Sequence, residues 1–303
     1  MIGKKVLARP FERLIYRIVR NSQALLRDER NVEAFLAAAL QSSHTLSELK
    51  DPAGYVEFLR SSFERVVFSI QEIRADSSKT DIAAIRFSTL IDTLKEGAPP
   101  IGFRRAERLA LTADRLGGLS QPYEEGLWAA DVGLHFLVSS VPARKGRLLS
   151  NIIRFSRSER CLELGTAYGM SAMFILDAMR ASGLSGHLAT LEAREPQFSI
   201  ASEELKSQYG EMVSCHFGYT HDVLPGLVRS LGRLDFLFHD TKDFVSVFET
   251  LEKALVPGAV VLFDDIRWVE APARTYEGWM EVVSHPRVQR AVEIEGMGLL
   301  LLR

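Results

Sequence analysis

Cysteine is almost missing from this 303-residue sequence: only Cys161 and Cys215 occur, both inside apolar runs that read as buried strands. That argues against a disulfide-stapled secreted fold and fits a reducing, cytoplasmic setting. An excess of one charge is missing as well, since 37 lysines and arginines face 39 aspartates and glutamates for a net charge of -2. Disordered polyampholytes and strongly basic nucleic-acid binders do not look like this. The balance is uneven, with 22 basic and 18 acidic residues through Ser150 against 15 and 21 after it, but no clustered arginine-aromatic stripe is present to read RNA. A nucleic-acid partner is therefore not expected. No apolar run approaches the roughly 18 to 20 residues that span a bilayer, and the start lacks the continuous apolar core of a signal peptide, so a soluble protein is expected. Fixed repeats and low-complexity tracts are absent, which leaves a helical solenoid unsupported.

What is there is a chain 47% hydrophobic and 25% charged, long enough for two domains or for one domain with a large extension. Near the start, Lys4, Lys5, Arg9, Arg13, Arg17 and Arg20 surround Val6, Leu7, Phe11, Leu14, Ile15, Ile18 and Val19 at near-helical spacing. Such a helix either packs on its own domain with a solvated basic face or lies on an anionic membrane or serves targeting. From Phe11 to about Ser140 apolar residues recur at spacings of three and four, as in Val56, Leu59, Phe63, Val67 and Ile70. Breaks fall at Asp51-Pro52, around Gly97 to Gly102, and from Gly117 to Pro122. An all-helical unit over residues 1–140 is expected, acting as a lid, a dimer interface or a substrate-binding element.

After Pro142 short apolar runs alternate with helical segments: Cys161 to Leu164, Leu188 to Leu191, Val213 to Phe217, Leu234 to Phe238 and Ala259 to Phe263. Ala291 to Ile294 and Leu299 to Leu302 then flank a turn, which reads as an antiparallel hairpin. Residues 141–303 therefore predict an α/β domain with a doubly wound, mostly parallel, seven-stranded sheet closed by that hairpin.

In open α/β sheets ligands sit beyond the carboxyl ends of the strands. The first run of the domain ends in Glu163-Leu164-Gly165-Thr166-Ala167-Tyr168-Gly169-Met170-Ser171, with two glycines four apart and an acid two before the first. It lacks the third glycine of a diphosphate-binding loop. The second run ends in Glu192, a carboxylate suited to paired ribose hydroxyls, and the third leads into Gly218-Tyr219-Thr220-His221-Asp222 at the height of an adenine. These loops resemble those of the class I S-adenosylmethionine-dependent methyltransferases, whose first motif reads acid-x-glycine-x-x-x-glycine. The likeness covers about Pro142 to Arg303 and implies a Rossmann-like sheet. It also implies that Gly165 and Gly169 admit the methionine portion of the cofactor, that Ser171 or Thr166 contacts its amino-acid end, and that Glu192 holds the ribose. Glu163 would orient the loop or bind the cofactor ammonium through water, with Gly218, Tyr219 and Asp240 completing the cofactor site.

The fourth run continues into His239-Asp240-Thr241-Lys242-Asp243 and the fifth into Asp264-Asp265. Neighbouring strands lie about 4.8 Å apart, so Asp240, Asp264 and Asp265 can converge, and crowded carboxylates are usually compensated by a hard divalent cation such as magnesium. Asp240 or Asp243 also suits the N-cap of a helix beginning near Phe244. The pairing of acids is similar to that of the cation-dependent O-methyltransferases of the catechol and caffeoyl-coenzyme A type, as is Lys145-Gly146-Arg147-Leu148-Leu149. In that family the second acid of the pair is usually an asparagine, where this chain has Asp265. The resemblance implies that the metal binds a hydroxyl of a small substrate, with Lys242 as general base; Lys242 stands two residues after Asp240, where relatives have three, and His239 is the alternative. The basic residue and Asp240 form the catalytic pair. Arg267 and Trp268, with Tyr123, Trp128 and Phe136 from the helical region, are candidates to line the acceptor pocket or to pack as core. A metal-independent methyltransferase, or a domain that binds cofactor or partner without turnover, are the alternatives.

Overall fold

The computed structural model describes residues 66–76, 81–98, 141–267 and 272–303. The basic N-terminal helix, Tyr123, Trp128, Phe136 and Trp268 lie outside the described residues. The chain divides into two compact units, Met1–Glu64 with Gly102–Ala143, and Arg65–Ile101 with Arg144–Arg303; the sheet belongs to the second.

Eight strands form one sheet: β1 (Ile70–Ala75), β2 (Arg160–Leu164), β3 (His187–Glu192), β4 (Val213–Phe217), β5 (Leu234–His239), β6 (Leu255–Phe263), β7 (Val288–Ile294) and β8 (Met297–Leu302). The helices are α1 (Ile82–Gly97), α2 (Ala143–Ser156), α3 (Met170–Ala181), α4 (Glu195–Tyr209), α5 (Thr220–Leu231), α6 (Phe244–Leu251) and α7 (Pro272–Ser284). The strand order is β1-β7-β8-β6-β5-β2-β3-β4. From β2 the chain winds outward through β3 and β4, then returns to β5 on the other side of β2, and all these neighbours are parallel. The reversal at β2 opens a crevice at the carboxyl ends of β2, β3 and β5, the place where such sheets take ligands.

Strand alternation decides what faces what. Leu162, Leu164, Leu237, Val261 and Phe263 turn to one face, where they share a core with Leu224 of α5, Phe248 of α6 and Trp279 of α7. Cys161 and Glu163 therefore turn to the opposite face. The hairpin forms as expected: Glu295 (φ 52°) and Gly296 (φ 82°) make a two-residue turn with both φ positive, the geometry that matches strand twist.

Residues 141–303 supply seven strands as expected, and one expectation is corrected: among the described residues, the region read as wholly helical contributes an eighth strand, β1. β1 pairs antiparallel with the edge of β7, with a register shift between Glu72 and Arg74. That irregularity leaves Ile70 and Ile73 three residues apart, which imitates helical spacing and hides the alternation of a strand. Helical spacing at Val67 and Ile70 was accordingly misleading. The segment 82–97 is helical as expected, its start fixed by Asp81, whose carboxylate accepts from the Ala84 amide at 2.8 Å.

Trp279 is fully buried, edge-on to Phe263 at 5.8 Å between ring centroids, and a Cβ on Gly298 would come within 2.6 Å of the indole. Its indole nitrogen has no hydrogen-bond partner among the described residues. Trp279→Ala is expected to cost about 3–5 kcal/mol through the cavity it leaves. Trp279→Phe, which discards an unpaired N–H, costs under about 1.5 kcal/mol. Urea unfolding followed by circular dichroism measures both.

Candidate active site

The loop after β2 is held by its backbone. The amides of Gly165 and Thr166 both donate to the Leu191 carbonyl, at 3.0 and 3.2 Å, which fastens the turn to the end of β3. Gly165 (φ 96°) has no room for a side chain, because a Cβ would stand 2.5 Å from the Asp240 carbonyl oxygen. Gly169 (φ 86°) precedes α3 in the left-handed region that glycine tolerates. Between them Ala167 also has positive φ, 44°, and its amide donates to Glu192 Oε2 at 2.7 Å. Glu192 Oε1 accepts from the Arg194 amide at 2.8 Å, so this carboxylate at the end of β3 ties two loops together at the crevice.

Beneath the loop lies a chain of polar side chains. Thr190 Oγ1 donates to Glu163 Oε2 at 2.5 Å, so the buried Thr166 hydroxyl, in contact with Thr190, must donate to it in turn. Glu163 is wholly buried, and its Oε1 has no hydrogen-bond partner among the described residues. Burial pushes its carboxyl up to about 7, against the opposing pull of the Ser171 and Thr190 hydroxyls. A buried carboxyl with one unsatisfied oxygen at a ligand crevice is ready to receive a cationic or N–H donor.

The acids that follow β5 and β6 stand side by side. The Asp240 amide donates to the Leu164 carbonyl at 2.8 Å and the Asp264 amide to the His239 carbonyl at 2.9 Å, so each continues its strand by one residue beside its neighbour. Asp265 has φ 49°, and its amide donates to Asp264 Oδ1 at 2.7 Å. Burial, compounded by the charges of Asp264 and Asp265, holds the Asp240 carboxyl well above the ordinary carboxylate range. Asp264 is raised for the same reason, with Lys145 opposing. Among the described residues no group of three or more His, Cys, Asp or Glu stands at metal-holding spacing. Asp264 Oδ1 instead receives the Lys145 ammonium at 2.5 Å, with Asp265 Oδ1 at 3.3 Å.

Lys145 is the residue that sequence reasoning missed as a participant. Its local signs are the family-like stretch Lys145 to Leu149 and the glycine after it: a Cβ on Gly146 would lie 2.1 Å from the Phe174 ring, so α2 presses closely on α3 there. Burial works against the Lys145 charge, but Asp264 and Asp265 outweigh it and hold the ammonium above the usual lysine value.

Other residues separate from this group. His239 is fully buried between Phe244 and Phe263, each 5.3 Å away by ring centroids, and its Nδ1 accepts from the Thr241 amide at 3.2 Å. Burial pushes it down to about 4, so it is a neutral core residue on the face away from Glu163. Lys242 is exposed on the loop, and Asp243, not Asp240, directly precedes α6. Tyr219 is exposed and stacks on His221 beyond Gly218 (φ 138°), while Phe217 meets Phe198 at 5.2 Å. Arg267 lies 3.8 Å over the Tyr276 ring and donates to both oxygens of Glu293.

Comparison with known proteins shows what this arrangement is similar to. Residues 162–266, which run from β2 to the acidic pair, match the family model described as a methyltransferase domain. The chain is 25% identical over 161 residues to an Arabidopsis thaliana protein named as a caffeoyl-CoA O-methyltransferase, covering 51% of this chain and 66% of the relative. It is 26% identical over 131 residues to a catechol O-methyltransferase of Niastella koreensis, covering 42% of this chain and 58% of that one. The chain thus spans under two thirds of the length of either relative. An O-methyltransferase from Bacillus cereus solved in complex with SAH has the same fold, with a TM-score of 0.50 at 18% identity over 66% of this chain and 100% of the other.

Burial pushes the Glu163 carboxyl up to about 7, above its ordinary value of 4.5. In the unfolded state Glu163 releases its proton first, so without ligand this group reduces stability as pH rises from about 4.5 to about 7. Glu163→Gln is expected to flatten that decline and to raise the cofactor-free melting temperature at pH 8. Calorimetric scans of both proteins between pH 5 and 8 check it.

Proposed function

We propose that the chain is an S-adenosylmethionine-dependent O-methyltransferase that transfers a methyl group to a hydroxyl of a small molecule with the help of a divalent cation, magnesium by the chemistry of its donors. The observation that carries the reading is the close approach of Gly165 to the Asp240 carbonyl, which joins the cofactor-type loop and the acidic strand ends in one crevice.

The residues fit the donor molecule. Glu163 offers an unsatisfied oxygen for the ammonium of the amino-acid end, with Ser171 and Thr166 beside it, and Gly165 and Gly169, both at positive φ, shape the loop around it. Glu192 is already oriented by two amides and keeps lone pairs for ribose hydroxyls. Gly218 and Tyr219 are assigned to the adenine end.

The donor chemistry suits a hard cation, because Asp240, Asp264 and Asp265 supply oxygen only, repel one another and already draw an ammonium, and with Lys145 in place they do not stand at metal-holding spacing. These three would hold the metal. When bound, the cation supplies Lewis acidity that brings an acceptor hydroxyl toward ionisation and fixes its oxygen for in-line displacement. Lys242 is the assigned proton acceptor, since His239 is buried away from the crevice. Cys161 and Cys215 are free thiols, consistent with a cytoplasmic enzyme, and among the described residues no helix is long and apolar enough to cross a membrane.

The test is transfer of a labelled methyl group to a panel of catechols and other hydroxylated aromatics. Activity should vanish with EDTA and return with Mg2+. Asp264→Ala should lose roughly a hundredfold or more in rate while still binding S-adenosylmethionine. Full activity in EDTA would remove the metal from the account.

A further inference from the structure

The acidic strand ends hold a cation that belongs to the chain itself. Lys145 projects from the first turn of α2 and its ammonium lies 2.5 Å from Asp264 Oδ1 and 3.3 Å from Asp265 Oδ1. Its helix is fixed from several sides. Gly146 is seated against Phe174, and Arg144 donates through Nε to Glu295 Oε2 at 2.6 Å. Glu295 begins the β7–β8 turn, whose Gly296 carbonyl accepts from the Ile266 amide at 3.0 Å, directly after the acidic pair. The contacts close a ring: acidic pair, hairpin turn, Arg144, Lys145, acidic pair. One link of that ring can open without freeing the helix.

An ammonium neutralises one charge, yet Asp240, Asp264 and Asp265 carry up to three. A divalent ion coordinated by Asp264 would sit within a few ångströms of the Lys145 nitrogen, where the two positive charges repel and compete for the same oxygen. Resting on the metal reading above, we propose that Lys145 is a resident counter-cation: it holds Asp264 and Asp265 in place while the metal is absent and is displaced when a divalent cation binds. Lys145 is thus a positioning residue. It preforms the carboxylates and sets how tightly the metal is held, without touching the methyl donor or the acceptor.

The experiment is calorimetric titration of Mn2+ into the full-length wild-type protein and into Lys145→Met, joined to amine labelling of the wild type read by mass spectrometry. Lys145→Met should bind Mn2+ at least tenfold more tightly, and its metal-free melting temperature should fall below that of the wild type and recover on adding Mn2+. In the wild type, saturating Mg2+ should raise labelling at Lys145 several-fold while other lysines are unchanged. Equal or weaker Mn2+ binding by the variant, or labelling at Lys145 that Mg2+ leaves constant, overturns the inference and leaves the metal reading standing. Absence of Mn2+ binding by both proteins overturns the two together. The labelling measurement needs only the wild type, so it decides the matter even if Lys145→Met does not fold.

Discussion

The Asp240 carbonyl and the Cα of Gly165 lie so close that no side chain fits between them. This contact joins two halves of a chemistry that the chain keeps 75 residues apart. Gly165 directly follows β2 and opens its loop; Asp240 directly follows the neighbouring β5, beside the other acids. Parallel pairing of β2 with β5, Leu164 opposite His239, brings the two ends level. The reversal of winding at β2 leaves the space above them uncovered by a crossover helix. The remaining features of the crevice depend on that registration.

Electrostatics is what the crevice stores. Glu163, Asp240 and Asp264 are each held above the ordinary carboxylate range by burial, and their charges reinforce the effect. A fold gains nothing in stability from such crowding, so the cluster is a concentration of negative charge, which the proposed function assigns to a sulfonium donor's ammonium and a hard ion. Lys145 is the one charge of opposite sign that the described site residues bring directly onto the pair Asp264 and Asp265.

The strand-end residues were readable because their information is local. An acid, two glycines and a helix start within nine residues mark a tight strand-to-helix loop, and Glu192 and Gly218 mark the ends of the next two strands. The same alternation that sends Leu164 and His239 to one face and Glu163 to the other allowed the doubt about His239 that its burial between Phe244 and Phe263 resolves. Long-range information was not readable. β1 reaches its partner β7 across more than two hundred residues with a register shift that breaks its alternation. Lys145 meets Asp264 across 119 residues, and only the neighbouring Gly146 hints that its helix is closely seated. The arrangement of the three aspartates was legible as adjacency of strand ends, but not as the ion pair that the chain forms there.

The central claim is that backbone at Gly165 and carboxylates at the strand ends form one ligand crevice. Its most direct measurement is the affinity of Gly165→Ala for S-adenosylmethionine by isothermal titration calorimetry, with folding checked by circular dichroism. A side chain pressed on the Asp240 carbonyl should displace both loops, so the account predicts a folded protein whose affinity falls by a hundredfold or more. A folded Gly165→Ala protein that binds the cofactor as tightly as the wild type would contradict it.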